Sequence, residues 1–204
     1  MPALTAKTFT SAVHELASRD ADLATVVQRC GPPPFWSRPR GFATLVWIIL
    51  EQQVSLASAK STYLKLSALM SRFDEANYLS LTDDELRGAG VSRQKVRYTR
   101  IAAEAIVTGD LPLAGLGRRS DEAVRESLTA LTGIGNWTAD VYMMTALRRA
   151  DLWPTGDLAL VKAVQELKGG GVMADAAALQ DVGERYRPLR SVATRLFWHH
   201  YLNP

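Results

Sequence analysis

The segment Leu128-Thr-Ala-Leu-Thr-Gly-Ile-Gly-Asn-Trp-Thr-Ala-Asp140 constrains this chain more than any other. Ahead of it, Asp121 to Leu131 places Val124, Leu128 and Leu131 at i, i+4 and i+7, the apolar face of a helix. After it, Trp137 to Arg148 reads as a second helix, apolar on several sides and so expected to be buried, with Asn136 a good N-cap. Thr132-Gly-Ile-Gly must reverse the chain between them in very few residues. Gly133 and Gly135 can take the positive φ that such a connection often requires. Without side chains they also let an anion approach the backbone, and the N–H groups at the start of the next helix add to the attraction. A bare Gly-x-Gly is more often a plain turn. Leu128, Leu131, Ile134 and Ala139 at their particular offsets point instead to a dedicated hairpin.

The rest of the chain looks almost wholly helical. Leu45, Ile48, Ile49 and Gln52 recur at helical spacing after the Gly31-Pro-Pro-Pro breaker, and Ala59 to Leu66 reads as another helix. Thr82 and Glu85 match a capping box. Val91 to Val107 is expected to be helical up to Gly109, and Asp157 to Lys168 up to Gly169-Gly-Gly. Asp181 to Trp198 closes the chain, with Pro188 limiting where the last helix begins. No long alternating run suggests a sheet. The expected class is therefore all-α, in two helical lobes. Breakers near Gly31 to Arg40 and Asp151 to Gly156 divide the chain into a contiguous lobe, 38–150, and a second built from 1–37 plus 151–204. A cleft between lobes is a common place for a ligand site.

Composition narrows the function classes. Cys30 is the only cysteine, which excludes an internal disulfide and any multi-thiolate metal cluster, and fits a reducing cytoplasm. The first residues, Met1 to Lys7, lack the pattern of a secretion signal, and no apolar run approaches membrane-spanning length. The net charge is +3, only mildly basic. The basic residues cluster as Arg93/Lys95/Arg97/Arg100, Arg118/Arg119, Arg148/Arg149 and Arg185/Arg187/Arg190/Arg195. Each cluster reads equally well as a solvated helix face or as a surface for a polyanion.

Several anchors then occur in order: Ile49-Leu-Glu-Gln-Gln-Val-Ser, the hairpin, Gly156-Asp157-Leu-Ala-Leu-Val-Lys, and Tyr186-Arg-Pro-Leu-Arg-Ser-Val-Ala running to Phe197-Trp198. Over about Phe42 to Trp198 the sequence resembles the helix-hairpin-helix (HhH-GPD) DNA glycosylases, and within them the 3-methyladenine DNA glycosylase II family. Many hairpins of that family carry proline where this chain has Thr132. The bacterial enzyme of this type also has a β-rich N-terminal domain, for which the roughly forty residues before the first anchor leave no room.

The resemblance implies a nucleotide-flipping enzyme of base excision repair that hydrolyses the N-glycosidic bond of alkylated bases such as 3-methyladenine or 7-methylguanine. Asp157 matches the catalytic aspartate, a carboxylate that stabilises the sugar cation. Read locally, the same residue is a helix cap, and the two roles are compatible. Trp137 stands where bifunctional relatives carry the lysine that cleaves the strand, which implies a hydrolase without lyase activity. Trp137 and Trp198 align with pocket aromatics, and Tyr142, Phe35 and Trp36 are further pocket candidates; an indole face attracts a cationic alkylpurine. Core packing is the competing reading for each ring.

For DNA contact, Gln53 matches the residue that fills the stack after flipping, or is simply a polar helix end. The hairpin residues Gly133, Ile134, Gly135, Asn136 and Thr138 are expected on the phosphates, where contacts grip without reading sequence. Relatives imply a monovalent cation, Na+ or K+, on the carbonyls of Thr129, Leu131 and Ile134, and no required cofactor. The implied partner is double-stranded DNA with a damaged base, bound by a monomer in the cytosol. The rival from another class is a non-catalytic helix-hairpin-helix module that binds duplexes and releases no base.

Overall fold

A computed structural model of the chain describes residues 3–169 and 176–204. Among the described residues the regular structure is helical throughout, and no helix is long and apolar enough to cross a membrane. The residues divide into two compact units, 38–142 and 1–37 with 143–204.

The 38–142 unit is built on α3 (Phe42–Glu51), followed by α4 (Leu56–Ser67), α5 (Glu75–Ser80), α6 (Asp83–Gly88), α7 (Arg93–Thr108), a 3-10 turn (Leu113–Arg118), α8 (Asp121–Thr129) and the start of α9 (Asn136–Thr145). With α1 (Ala6–Arg19) and α2 (Ala21–Cys30) preceding it in the chain, α3 is the third helix and the most apolar in its unit. Phe42, Leu45, Val46, Ile48, Ile49 and Leu50 are all buried, because α3 is covered by α4 and α7. An aromatic series extends this core: Trp47 stacks on Tyr63 at 4.2 Å between ring centroids, and Tyr63 on Phe73 at 5.2 Å. Arg38 forks onto Glu51, with the shorter bond at 2.6 Å, and lies over the Trp47 ring. The expected capping box of Thr82 and Glu85 opens α6, and Gly109 ends α7 in the left-handed conformation at φ 87°.

The other unit centres on α12 (Arg190–Leu202), which packs against α1, α2 and α10 (Leu158–Lys168). Helix α11 (Ala176–Glu184) completes the set. Buried residues on α12 run from Ser191 to Phe197 without a break, so the helix is enclosed on nearly all sides. Trp153 sits in this core with its Nε1 donating to the Leu179 carbonyl at 3.0 Å. Gly183 is required there: a Cβ would come within 2.6 Å of the Trp153 ring.

Two expectations are corrected. Residues 143–150, read as the end of the contiguous lobe, group with the chain ends instead; Ala150 lies in their core cluster and the Leu4 N–H donates to the Arg148 carbonyl at 2.8 Å. Helix α9 stops at Thr145 rather than Arg148, and Arg148 takes φ 59°. Pro188 does limit where the last helix begins: α11 ends at Glu184 and α12 starts at Arg190. Of the Gly169-Gly-Gly stop, Gly169 follows α10 at φ 87°, while Gly170 and Gly171 fall outside the described residues.

Asp20 ties this unit together. Its carboxylate caps α2 by accepting from the amides of Asp22 and Leu23, and also accepts from Lys168 Nζ at 2.7 Å and the Tyr186 hydroxyl at 2.8 Å. Burial alone would raise the Asp20 carboxyl, but the bonds from Lys168, Tyr186 and the Leu23 amide outweigh it and hold the group below its ordinary value. A depressed carboxyl stabilises the fold above its unfolded value, near about 3.9, and that support fades as pH falls through the folded value. Asp20→Asn is therefore expected to lower the melting temperature near neutral pH. In thermal melts from about pH 7 down to about pH 3, the gap to the wild type should narrow steadily.

Candidate functional site

Asp157 is the N-cap of α10, with its backbone in an extended conformation (φ −86°, ψ 113°) that turns the side chain back over the helix end. Its Oδ1 accepts from the Leu160 amide at 2.8 Å and from the Trp198 indole Nε1 at 3.0 Å. The residue is 8% exposed. Two donors on one oxygen fix the carboxylate's direction, and its near-burial removes most competing water. Cap and indole partner thus coincide at one residue, as the compatible readings of Asp157 allow.

Trp198 reaches Asp157 from α12 and is half-buried. Its ring meets the edge of Trp36 at 6.4 Å, and Trp36 in turn lies against His199 at 6.2 Å. Trp36 holds φ 46°, a left-handed conformation uncommon for a bulky residue. Its neighbour Phe35 stacks on Phe9 at 4.9 Å and packs against the core cluster, so it supports Trp36 rather than offering a free face.

The anchor of this arrangement is Arg195, grouped by sequence with the exposed basic residues. It is fully buried and donates to the carbonyls of Phe35 (2.9 Å), Ser191 (2.8 Å) and Met144 (2.7 Å), beside the stacked rings of Phe9 and Phe35. Burial pulls its guanidinium down to about 10. No periodicity marks such a residue; only the carbonyls it serves reveal it. Its cluster neighbours Arg187 and Arg190 pair with Asp151 and Glu184.

In the 38–142 unit the hairpin joins α8 to α9. Only Gly133 takes positive φ, at 90°; Gly135 does not, contrary to expectation. The two glycines also differ in surroundings. A Cβ on Gly133 would fall 2.1 Å from the Tyr98 ring, so its missing side chain serves packing, whereas a Cβ on Gly135 would meet nothing within 4 Å. Thr132, Gly135 and Asn136 are the exposed members of the loop. Ile134 is buried, and so is Thr138, whose Oγ1 accepts from Gln52 Nε2 at 2.9 Å. These two side chains hold the hairpin in place rather than facing a ligand. Tyr142 is likewise removed from the pocket candidates: it is fully buried, and its hydroxyl accepts from the Gly41 amide at 3.1 Å ahead of α3. Trp137 is half-buried near the start of α9.

A cavity of about 530 Å³ opens beside the hairpin. Residues 129–135 form one wall, Gln94, Lys95 and Tyr98 another, and Gln52 and Gln53 the third. Gln53 is exposed, directly beyond the end of α3, and has φ 57°. Gln52 donates from its side-chain amide to the Gly133 carbonyl at 2.9 Å as well as to Thr138. Lys95 donates to the carbonyls of Leu50 and Gln52, both at 2.7 Å, and burial lowers its ammonium from the ordinary lysine value. Sequence reading missed the roles of Gln52 and Lys95. Adjacency to Gln53 was a signal for the first; nothing local marked the second.

The chain is similar to known proteins. A family model described as HhH-GPD superfamily base excision DNA repair protein matches residues 46–181. The alkylbase DNA glycosidase-like protein mag2 of Schizosaccharomyces pombe is 25% identical over 197 residues, 93% of this chain and 92% of that protein. The probable bifunctional transcriptional activator/DNA repair enzyme AlkA of Mycobacterium tuberculosis is 32% identical over 200 residues, and there the match spans 39% of the longer relative. Among solved structures, the DNA-3-methyladenine glycosidase from Bacillus halodurans superimposes with a TM-score of 0.76 at 30% identity, covering 93% of this chain and 88% of that one. S. pombe 3-methyladenine DNA glycosylase Mag1 in complex with abasic DNA has the same fold, with a TM-score of 0.86 at 22% identity over 92% of this chain and 95% of that one. The chain belongs to the HhH-GPD superfamily of base excision DNA repair proteins.

Proposed function

We propose that the chain is a monofunctional DNA glycosylase that releases alkylated bases of the 3-methyladenine and 7-methylguanine type from double-stranded DNA. The observation that carries this reading is the Asp157 carboxylate, 8% exposed and aimed by the Leu160 amide and the Trp198 indole. Membership of a base excision repair family supports it, as do relatives named for alkylbase and 3-methyladenine glycosylase activity.

In this mechanism the hairpin grips a backbone phosphate through the amides around Gly135 and Asn136, and the damaged nucleotide leaves the stack. Gln53 fills the space it vacates. Alkylation at N3 or N7 has already made the base a cation, so it departs with the electrons of the C1′–N bond as a neutral molecule and needs no general acid. The sugar becomes an oxocarbenium ion, which the negative carboxylate of Asp157 stabilises. Water adds its oxygen to C1′ and loses a proton to solvent. Trp36 and Trp198 offer indole faces to the cationic base, worth roughly 0.5–2 kcal/mol each. Trp137, where bifunctional relatives carry a lysine, gives no amine to attack C1′, so hydrolysis is the only exit.

The carbonyls of Thr129, Leu131 and Ile134 are the oxygens that would hold a Na+ or K+. Neutral oxygen donors suit a hard cation, and the Leu131 carbonyl, which accepts from the Ile134 amide at 3.1 Å, keeps a second lone pair. Such an ion would add positive charge toward the gripped phosphate. The protein works in this scheme as a cytosolic monomer, with no cofactor in the chemical step.

Asp157→Asn should slow release of 7-methylguanine from methylated duplex by about 100-fold or more while leaving duplex affinity within a few-fold, measured in single-turnover reactions and by titration. An undiminished rate would remove Asp157 from the mechanism, and a wild-type protein that binds duplex in a salt-sensitive manner yet releases no base from any lesion would favour the binding-module alternative. Strand breaks at the product site should appear only after alkali; breaks without it would contradict the role given to Trp137. The glycines should separate by readout. Gly133→Ala, forced against Tyr98 at φ 90°, is expected to lower the melting temperature by several degrees, whereas Gly135→Ala should melt normally and bind duplex about ten-fold more weakly.

A further inference from the structure

Lys95 lies in the first turn of α7, but its side chain leaves that helix for the end of another. Its ammonium donates to the Leu50 and Gln52 carbonyls, both at 2.7 Å. The last carbonyls of a helix have no partner within it, and α3 has no basic residue of its own in its last turn. Lys95 supplies the missing cation from across the unit.

The bond falls where the chain most needs restraint. Gln52 turns out of the helix at φ −59°, ψ 124°, and Gln53 follows at φ 57°. A left-handed conformation at a residue other than glycine persists only where its surroundings impose it. Gln52 is held twice, by its carbonyl to Lys95 and by its side-chain amide to the Gly133 carbonyl and Thr138 Oγ1, both at 2.9 Å. Gln53 is the first residue beyond that double attachment, and it is exposed.

We propose that Lys95 is a positioning residue: it fastens the end of α3 so that Gln52 stays bonded to the hairpin and Gln53 is presented beside it in one fixed orientation. The proposal rests on the reading of Gln53 as the residue that fills the vacated stack. Lys95 acts through Gln53 and need not touch DNA. A lysine that served only as a phosphate contact would behave differently, because its loss would weaken binding uniformly and reduce the salt dependence by about one phosphate.

The test uses the full chain as wild type, Lys95→Met, Gln53→Ala and the double variant. Each is assayed for melting temperature, for salt-dependent duplex binding, and for single-turnover release of 7-methylguanine from a duplex with 2-aminopurine beside the lesion as a reporter of flipping. Gln53→Ala and Lys95→Met should each lower the release rate and the 2-aminopurine signal about ten-fold, with duplex affinity and salt slope held within about two-fold. The double variant should be no slower than Gln53→Ala alone, because residues that act as one unit do not add. Multiplying losses, a salt slope reduced by about one in Lys95→Met, or an unimpaired Gln53→Ala would each overturn the proposal. So would failure of both Lys95→Met and Lys95→Gln to fold, which assigns Lys95 to stability alone. A wild type that neither flips nor releases a base overturns the glycosylase reading, and this role with it; a wild type that releases base beside a Lys95→Met of equal rate overturns the role alone.

Discussion

A helix ends with amide hydrogens exposed at one terminus and carbonyl oxygens at the other, and neither set can be left unpaired away from water. A chain built from many short helices meets this requirement again and again, and here it places the residues of interest. Asp157 satisfies the start of α10 and is thereby aimed. Lys95 satisfies the end of α3, where Gln52 and Gln53 emerge. Arg195 serves three carbonyls at once, one of them on Phe35 beside the strained Trp36. The hairpin itself is the interval between one helix end and the next helix start.

Charge is distributed by the same logic. The mildly positive net charge suggests a surface that meets a polyanion, yet many cations are occupied within the fold. Arg187 and Arg190 pair with Asp151 and Glu184, Arg100 with Asp83, and Lys168 with Asp20 and Asp22. Partly buried pairs of this kind order the fold more than they attract a ligand. The grip proposed for the hairpin would therefore rest on backbone amides of the loop at Gly135 and Asn136, where the surroundings are open, more than on any basic cluster.

Legibility varied with how local the cause is. The capping box of α6 and the Gly109 stop of α7 were readable because both depend on residues within one turn. The same holds for Asp157 as a cap. Helix length was less legible: α9 ends short of Arg148. Propensity along a segment does not say where packing stops rewarding another turn. The least legible features were those whose cause lies far away in sequence. Gly133 looked like an opening for a phosphate, but Tyr98 occupies that side. Tyr142 and Thr138 looked available, but Gly41 and Gln52 engage them.

By itself, the sequence determined the helical class, the presence of a hairpin between α8 and α9, and the residue types that could carry the chemistry, because periodicity, caps and glycine spacing act over a few neighbouring residues. Tertiary structure alone decided which of those residues face outward and which are consumed as supports. Arg195 and Lys95 each reach carbonyls that are remote in the chain, and Trp198 finds Asp157 across 41 positions. Pairings over such separations are set by how helices pack, which no local pattern encodes.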